Sequence, residues 1–222
     1  MKKITLICTE HQTRGACNSD ELYKILEAIE PKVIFEEMPL SAFDDYYINK
    51  SRNRLETDTI ILYKKKNQIE HIPVDHDDIE NQLRIVNKNK QVHIKVEKRS
   101  RTYCHLIDTH IEYCYQYGFK YLNSKCCEDL HKALDTEIVE VLKIIENENL
   151  TAIYKEFCET LTHKRESVML ENIIKYSMEN DFERGVFFIG AGHRYTIIEK
   201  IQELEKTQNN IKWNYNNYDE IL

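Results

Sequence analysis

Glycine and proline are scarce, 5 and 3 among 222 residues, and the chain contains no Pro/Ser/Gly-rich or low-complexity tract. Flexible linkers depend on such residues, so their scarcity argues against a loosely joined multidomain design. No apolar stretch approaches the roughly 18 residues that span a bilayer. Met1-Lys2-Lys3-Ile4 passes straight into a strand-like run with no apolar leader after it, so a cytoplasmic protein is expected. There is no excess of positive charge. A net charge of -7 and a pI near 5.8 oppose a chain that binds nucleic acid or a membrane surface through its overall charge. No Gly-x-Ser-x-Gly turn and no phosphate-cradling glycine loop occurs, so serine-hydrolase and P-loop chemistries lose their motifs. Gly190-Ala191-Gly192 is too short to serve as a dinucleotide fingerprint.

A hydrophobic content of 41% over this length can fill a core and suits one domain over residues 1–222. Seven cysteines are an odd number, and Cys8 lies inside a core-like run, which fits reduced thiols better than a disulfide framework.

Short β-branched and aromatic runs that end in polar turns read as buried strands. Ile4-Thr5-Leu6-Ile7-Cys8 leads to His11, Val33-Ile34-Phe35 to Glu36 and Glu37, Ile69-Glu70-His71-Ile72-Pro73-Val74 to Asp75, and Val186-Phe187-Phe188-Ile189 to His193. Between the first two runs, Asn18 with Glu21 resembles a capping box, and Leu22, Ile25, Leu26 and Ile29 recur at helical spacing before Pro31 stops the helix. This is a βαβ unit, so its strands should be parallel. A second helical stretch is expected from about Ser41 to Lys66, and a helical insertion or cap over about 79–183. The sheet resumes at Gly185–Ile189, a helix follows from Thr196 to about Glu205, and Ile211–Tyr215 supplies a candidate edge strand. The expected fold class is therefore α/β, with mixed α+β as the variant: a mostly parallel central sheet flanked by helices, carrying a helical insertion.

In such sheets ligands bind outside the carboxyl ends of the strands. Four strands would deliver His11, His193 and two carboxylates to one rim. Imidazole with carboxylate suits a first-row divalent ion, which would activate water and polarise a carbonyl or phosphoryl oxygen. The same groups also serve acid–base catalysis without a metal, Glu37 taking a proton from water while a histidine polarises the electrophile. Glu36 and Glu37 are adjacent on a strand end, so only one can face a given site, and alternation alone does not choose between them. Taken singly, a loop histidine is more often a solvated side chain than a functional one. The shared placement of His11 and His193 after strands is what raises them above that background.

Two weaker patterns stand apart. His110 with Cys114, and Cys127 with His131, have i, i+4 spacing that makes half a metal site each, with no matching pair at structural-zinc spacing in the sequence. Arg84, Lys88, Lys90, Lys95, Lys98, Arg99 and Arg101 form a basic stretch, most simply a solvated helix face and alternatively a phosphate patch.

On these motifs the chain resembles the TraB/PrgY/GumN and Tiki superfamily, which also takes in the erythromycin esterases and the haem-binding ChaN lipoproteins. Gly190-Ala191-Gly192-His193 matches the superfamily's C-terminal Gly-x-x-His motif in full. Cys8-Thr9-Glu10-His11 matches the N-terminal one with Cys8 in place of glycine. Glu37 in Glu37-Met38 aligns with the family glutamate, Asp75 matches an Asp-Arg pair in which His76 replaces the arginine, and Arg165-Glu166-Ser167-Val168-Met169 resembles an Arg-x-x-x-Met helix. Residues from about 80 to 160 contribute nothing to the resemblance.

The resemblance implies a mixed α/β sheet and a site built from the two histidines and the glutamate. It implies a hydrolase acting on an ester or amide bond of a small-molecule or peptide substrate, assisted by a divalent metal (Zn, Mn, Co or Fe). In that reading His11, Glu37 and His193 are catalytic groups or metal ligands, Asp75 is a fourth ligand or support, and Arg165 orients an anionic group. The competing readings are a non-enzymatic binder of haem or another small molecule, with histidine or tyrosine contacts, and an interaction protein that presents its helical insertion. The sequence leaves the oligomeric state open.

Overall fold

β1 (Lys2–Thr9) draws on Ile4, Leu6, Ile7 and Cys8, all fully or almost fully buried, and forms the spine of a five-stranded sheet in a computed structural model that describes residues 1–207, 210–216 and 218. The other strands are β2 (Val33–Glu36), β3 (Glu70–Pro73), β4 (Arg184–Gly190) and β5 (Ile211–Asn214). All neighbours run parallel, in the order β3-β2-β4-β1-β5, so the protein is α/β and its edge strands are β3 and β5. β4 enters between β1 and β2, with Thr9 level with Gly190 and Glu36 level with Phe188. The carboxyl ends of three central strands thus lie side by side, at the kind of switch in strand order where parallel sheets open a crevice.

Helix α1 (Ser19–Ile29) starts as the sequence suggests: the Asn18 side chain accepts from the Glu21 amide at 3.0 Å. The helix then buries Leu22, Ile25 and Leu26 and lies beside α2 (Leu55–Lys66). The expected helix from Ser41 to Lys66 is shorter. Leu40–Ala42 and Asp44–Ile48 form a 3-10 turn and a π-turn, and Lys50 takes a positive φ of 51° while the amides of Ser51 and Arg52 both bond the Asp45 carbonyl. That reversal stops helical propagation, and extended Arg54 restarts the chain at α2.

Residues 79–183 are mainly helical: α3 (Ile79–Glu97), α4 (Arg101–Leu122), α5 (Lys125–Ile145), α6 (Glu148–Phe157), a π-helical turn (Cys158–Lys164) and α7 (Arg165–Glu179). α8 (Arg194–Glu205) follows β4. These helices do not form one separate insertion. Met169, Leu170 and Ile173 of α7, with Phe119, Leu122 and Cys127 at the α4–α5 junction, join the core around the sheet. Val92, Val96, Leu130, Leu134, Ile138 and Leu142 form a second apolar cluster with Leu150 and Tyr154. α4 is bent at Gly118 (φ 51°, ψ -130°), where an added Cβ would lie 2.4 Å from the Ala16 carbonyl oxygen. The basic stretch lies mainly on α3, where Arg84 and Lys88 face Glu156 of α6 at 2.6 and 3.9 Å.

β5 pairs with β1 only as far as Thr5, which leaves the backbone of Cys8 without a strand partner on that side. Asn123 supplies one: its Oδ1 accepts from Cys8 N at 2.8 Å and its Nδ2 donates to Cys8 O at 3.2 Å. One side chain therefore fastens the α4–α5 junction to the tail of β1, meeting the demand of a buried backbone for partners.

Candidate active site

His11 stands two residues past β1 in the left-handed region, φ 59°, a conformation that histidine tolerates better than most residues. Its carbonyl accepts from the Leu55 amide at 3.2 Å, tying the loop to the start of α2. His193 ends a 3-10 turn that follows β4, and Glu37 continues β2 by one residue, its amide bonded to the Phe188 carbonyl at 3.0 Å. The two imidazoles approach different oxygens of the same carboxylate: His11 Nε2 is 3.7 Å from Glu37 Oε2, and His193 Nε2 is 3.6 Å from Glu37 Oε1.

Behind each ring stands a buried glutamate. His11 Nδ1 is 2.8 Å from Glu56 Oε1, and His193 Nδ1 is 2.8 Å from Glu166 Oε1. Each of these oxygens also accepts a threonine hydroxyl, from Thr9 and Thr196 respectively, and each second oxygen is buried without a hydrogen-bond partner among the described residues. The site thus repeats one Thr–Glu–His unit on both sides of Glu37. The carboxylates are sealed while the rings reach solvent: the His11 and His193 side chains are 33% and 15% accessible, against 2% and 0% for Glu56 and Glu166.

Glu37 has fixed partners. Gly190 N donates to Oε2 at 2.7 Å, and Arg165 Nη2 donates to Oε1 at 2.7 Å. Arg165, at the start of α7, also grips Asp75 through Nε at 3.0 Å and Nη2 at 2.6 Å. Burial alone would raise the Glu37 pKa, but His193, Arg165, His11 and the Gly190 amide outweigh it and hold the carboxyl well below the usual range. Burial alone would lower the His11 pKa; Glu56 and Glu37 outweigh it and bring the imidazole up to about 8. At neutral pH a largely charged His11 therefore faces an ionised Glu37.

All five residues singled out from the sequence, His11, Glu37, Asp75, Arg165 and His193, come together here. Of the adjacent glutamates, Glu37 enters the cluster. Glu36 turns the other way, to His71 Nε2 and the Tyr47 hydroxyl, both at 2.7 Å. Cys8, where the resembled motif has glycine, is fully buried with its Sγ 3.8 Å from Arg194 Nη1. Gly190 carries the close approach instead: an added Cβ would sit 3.0 Å from His11 Nε2.

Sequence reasoning missed Glu56 and Glu166. Glu56, Ile60 and Tyr63 share one stripe of α2, and Glu166, Met169, Leu170 and Ile173 one stripe of α7, so each acid occupies a position that helical periodicity reserves for an apolar residue. That breach of pattern was the available signal. The chain also holds largely buried groups with metal-ligating spacing that share no residue with the His11 cluster. The ligand atoms of His110, Cys127 and His131, and those of Glu10, His110 and Cys114, lie within 4.8 Å of one another in each group. Across the α4–α5 junction the Cys127–His131 pair meets His110, whereas Cys114 groups with His110 and Glu10.

Among the described residues no helix is long and apolar enough to cross a membrane. No family model matches this chain, nor does any curated protein or solved structure.

Proposed function

We propose that the chain is a hydrolase that cleaves an ester or amide bond at the His11–Glu37–His193 cluster, in a small-molecule or peptide substrate. The observation that carries this reading is the doubled Thr–Glu–His unit facing one fixed carboxylate. A ring that donates Nδ1–H to a buried glutamate keeps its Nε2 directed into the crevice, either as a lone pair when neutral or as an N–H when charged.

His193 Nε2 takes the proton of a water as its oxygen attacks the carbonyl carbon. Glu166 and Glu37 stabilise the imidazolium that forms. His11, already protonated, steadies the developing oxyanion and gives its Nε2 proton to the leaving oxygen or nitrogen as the bond to carbon breaks. Solvent then returns the His193 proton to His11. Glu37 is too firmly ionised to serve as the base, so it acts as a fixed charge. Arg165 is a positioning residue that holds Glu37 and Asp75.

A divalent metal at His11, Glu37, His193 and Asp75 suits the imidazoles, whose second nitrogens are turned to carboxylates as metal-bound histidines are. It does not suit the carboxylates: Glu37 is bound by Gly190 and Arg165, both Asp75 oxygens are bound by Arg165, and that guanidinium already supplies the positive charge.

Hydrolysis of a panel of p-nitrophenyl esters, lactones and anilides tests the proposal. His193→Gln and His11→Gln are each expected to lower kcat/KM by about 10²–10⁴-fold, the usual weight of a positioned acid or base. Because His11 must be charged, kcat/KM should fall as pH rises through about 8. Glu56→Gln, which removes the charge that raises the His11 pKa, should move that alkaline limb to lower pH. Turnover that ignores both histidine substitutions, or a folded protein inert across the panel, overturns the reading.

A further inference from the structure

The α4–α5 junction carries a second cluster, which plays no part in the proposed hydrolysis. His110 and Cys114 are one turn apart on α4, Cys127 and His131 one turn apart on α5, and the two helices are joined by Asn123 and Ser124 alone. Cys114 and Cys127 are fully buried and the His110 residue is 8% exposed.

His110 Nε2 lies 2.6 Å from Glu10 Oε1 and 3.6 Å from Cys114 Sγ. A carboxylate that fixes a histidine through one nitrogen leaves the other to face a ligand, the arrangement that orients metal-bound histidines. That other nitrogen, Nδ1, is 2.9 Å from the Tyr121 hydroxyl, and Cys127 also interacts with that hydroxyl. The His131 ring packs edge-on against His110, with centroids 4.9 Å apart. Its Nε2 is buried without a hydrogen-bond partner among the described residues. A buried nitrogen in that state has lost its water and gained nothing in return unless a ligand meets it.

We infer that His110, Cys127 and His131 form a binding site for a thiophilic divalent cation of the zinc class. One thiolate and two imidazoles make a borderline-soft donor set that zinc accepts and that calcium or magnesium, which want oxygen, do not. Binding releases the Cys127 thiol proton to solvent, so the dication would be met by one thiolate and two neutral rings, with a water as the fourth ligand. The ion pins α5 to α4 beside the tail of β1, next to the loop that begins at Glu10 and carries His11. Its role is structural, and the inference stands whether or not the His11 cluster is hydrolytic.

The test uses the full chain without a histidine tag, stripped with chelator and titrated with Co2+ and then Zn2+. One equivalent of cobalt should produce a thiolate-to-cobalt charge-transfer band with the intense visible bands of tetrahedral coordination, and zinc should erase both. Cys127→Ser and His131→Ala, shown by circular dichroism to be folded, should each weaken binding by roughly 100-fold or more, beyond what loss of an outer partner costs. Cys114→Ser, His11→Ala and His193→Ala should retain the band, and so should Cys126→Ser, which removes the exposed thiol. Three results overturn the inference: no band in the folded wild type, a band indifferent to Cys127→Ser, or a band lost with Cys114→Ser and kept with Cys127→Ser, which would move the ion to the Glu10 triad.

Discussion

Gly190 illustrates how a single residue is chosen by its neighbours rather than by its backbone. Its φ of -61° and ψ of 140° are open to any residue, so glycine is not required there for conformational reasons. What excludes a side chain is space, since a Cβ would meet His11 Nε2 at 3.0 Å and Glu37 Oε2 at 3.4 Å, whereas at Gly192 it would meet nothing within 4 Å. Gly190→Ala is therefore expected to displace the His11 ring and shift its NMR titration while the fold survives. Gly192→Ala should leave both unchanged. Equal effects of the two substitutions would refute the spatial argument. The histidines themselves were legible because each follows a buried apolar run. The choice of Glu37 over Glu36 was not, because strand alternation separates two neighbours onto opposite faces without naming which face holds the site. The resemblance selected Glu37, and the geometry places Glu37 beside both rings.

At the scale of elements, periodicity located the strands, the first helix and the last helix to within a few residues, since each buries one clear stripe or a continuous apolar run. It overran at Ser41–Arg54, where the chain makes turns and the Ser51 and Arg52 amides are tied back to the Asp45 carbonyl. Nor does periodicity within one helix reveal which stripe of another helix it meets, so the His110–Cys114 and Cys127–His131 pairs looked like unmatched halves. The break in α4 belongs to the same class of tertiary demand. Gly118 combines a left-handed φ with contact against the Ala16 backbone, and neither can shift without moving the Glu10–Asn18 loop. Gly118→Ala should destabilise the protein by about 1–3 kcal/mol or more, the cost of a strained backbone plus the clash. A chemical-denaturation midpoint equal to wild type would show that the loop yields freely.

Across the whole molecule, the two larger apolar clusters among the described residues divide the work: one wraps the sheet, and the other joins α3, α5 and α6 with part of α4. Truncating a buried residue of the second should loosen that cluster first, because few of its contacts extend to the strands. Leu142→Ala is expected to cost about 2–5 kcal/mol. Hydrogen exchange should quicken in α3, α5 and α6 while β1, β2 and β4 keep their protection. A uniform rise over all elements would mean that both clusters unfold as one unit, in line with the single domain read from the sequence.

The order of strands also sets a schedule for synthesis. β1 and β2 do not pair with each other: both pair with β4, whose residues 184–190 are made after those of β1, β2 and β3. A nascent chain that has already emitted His11, Glu37, Glu56 and Arg165 still lacks the strand that spaces them and the Gly190 amide that anchors Glu37. The cluster therefore cannot be completed until β4 is made and takes its place between β1 and β2, and an incomplete chain released just before that point carries every carboxylate of the site without the strand that arranges them.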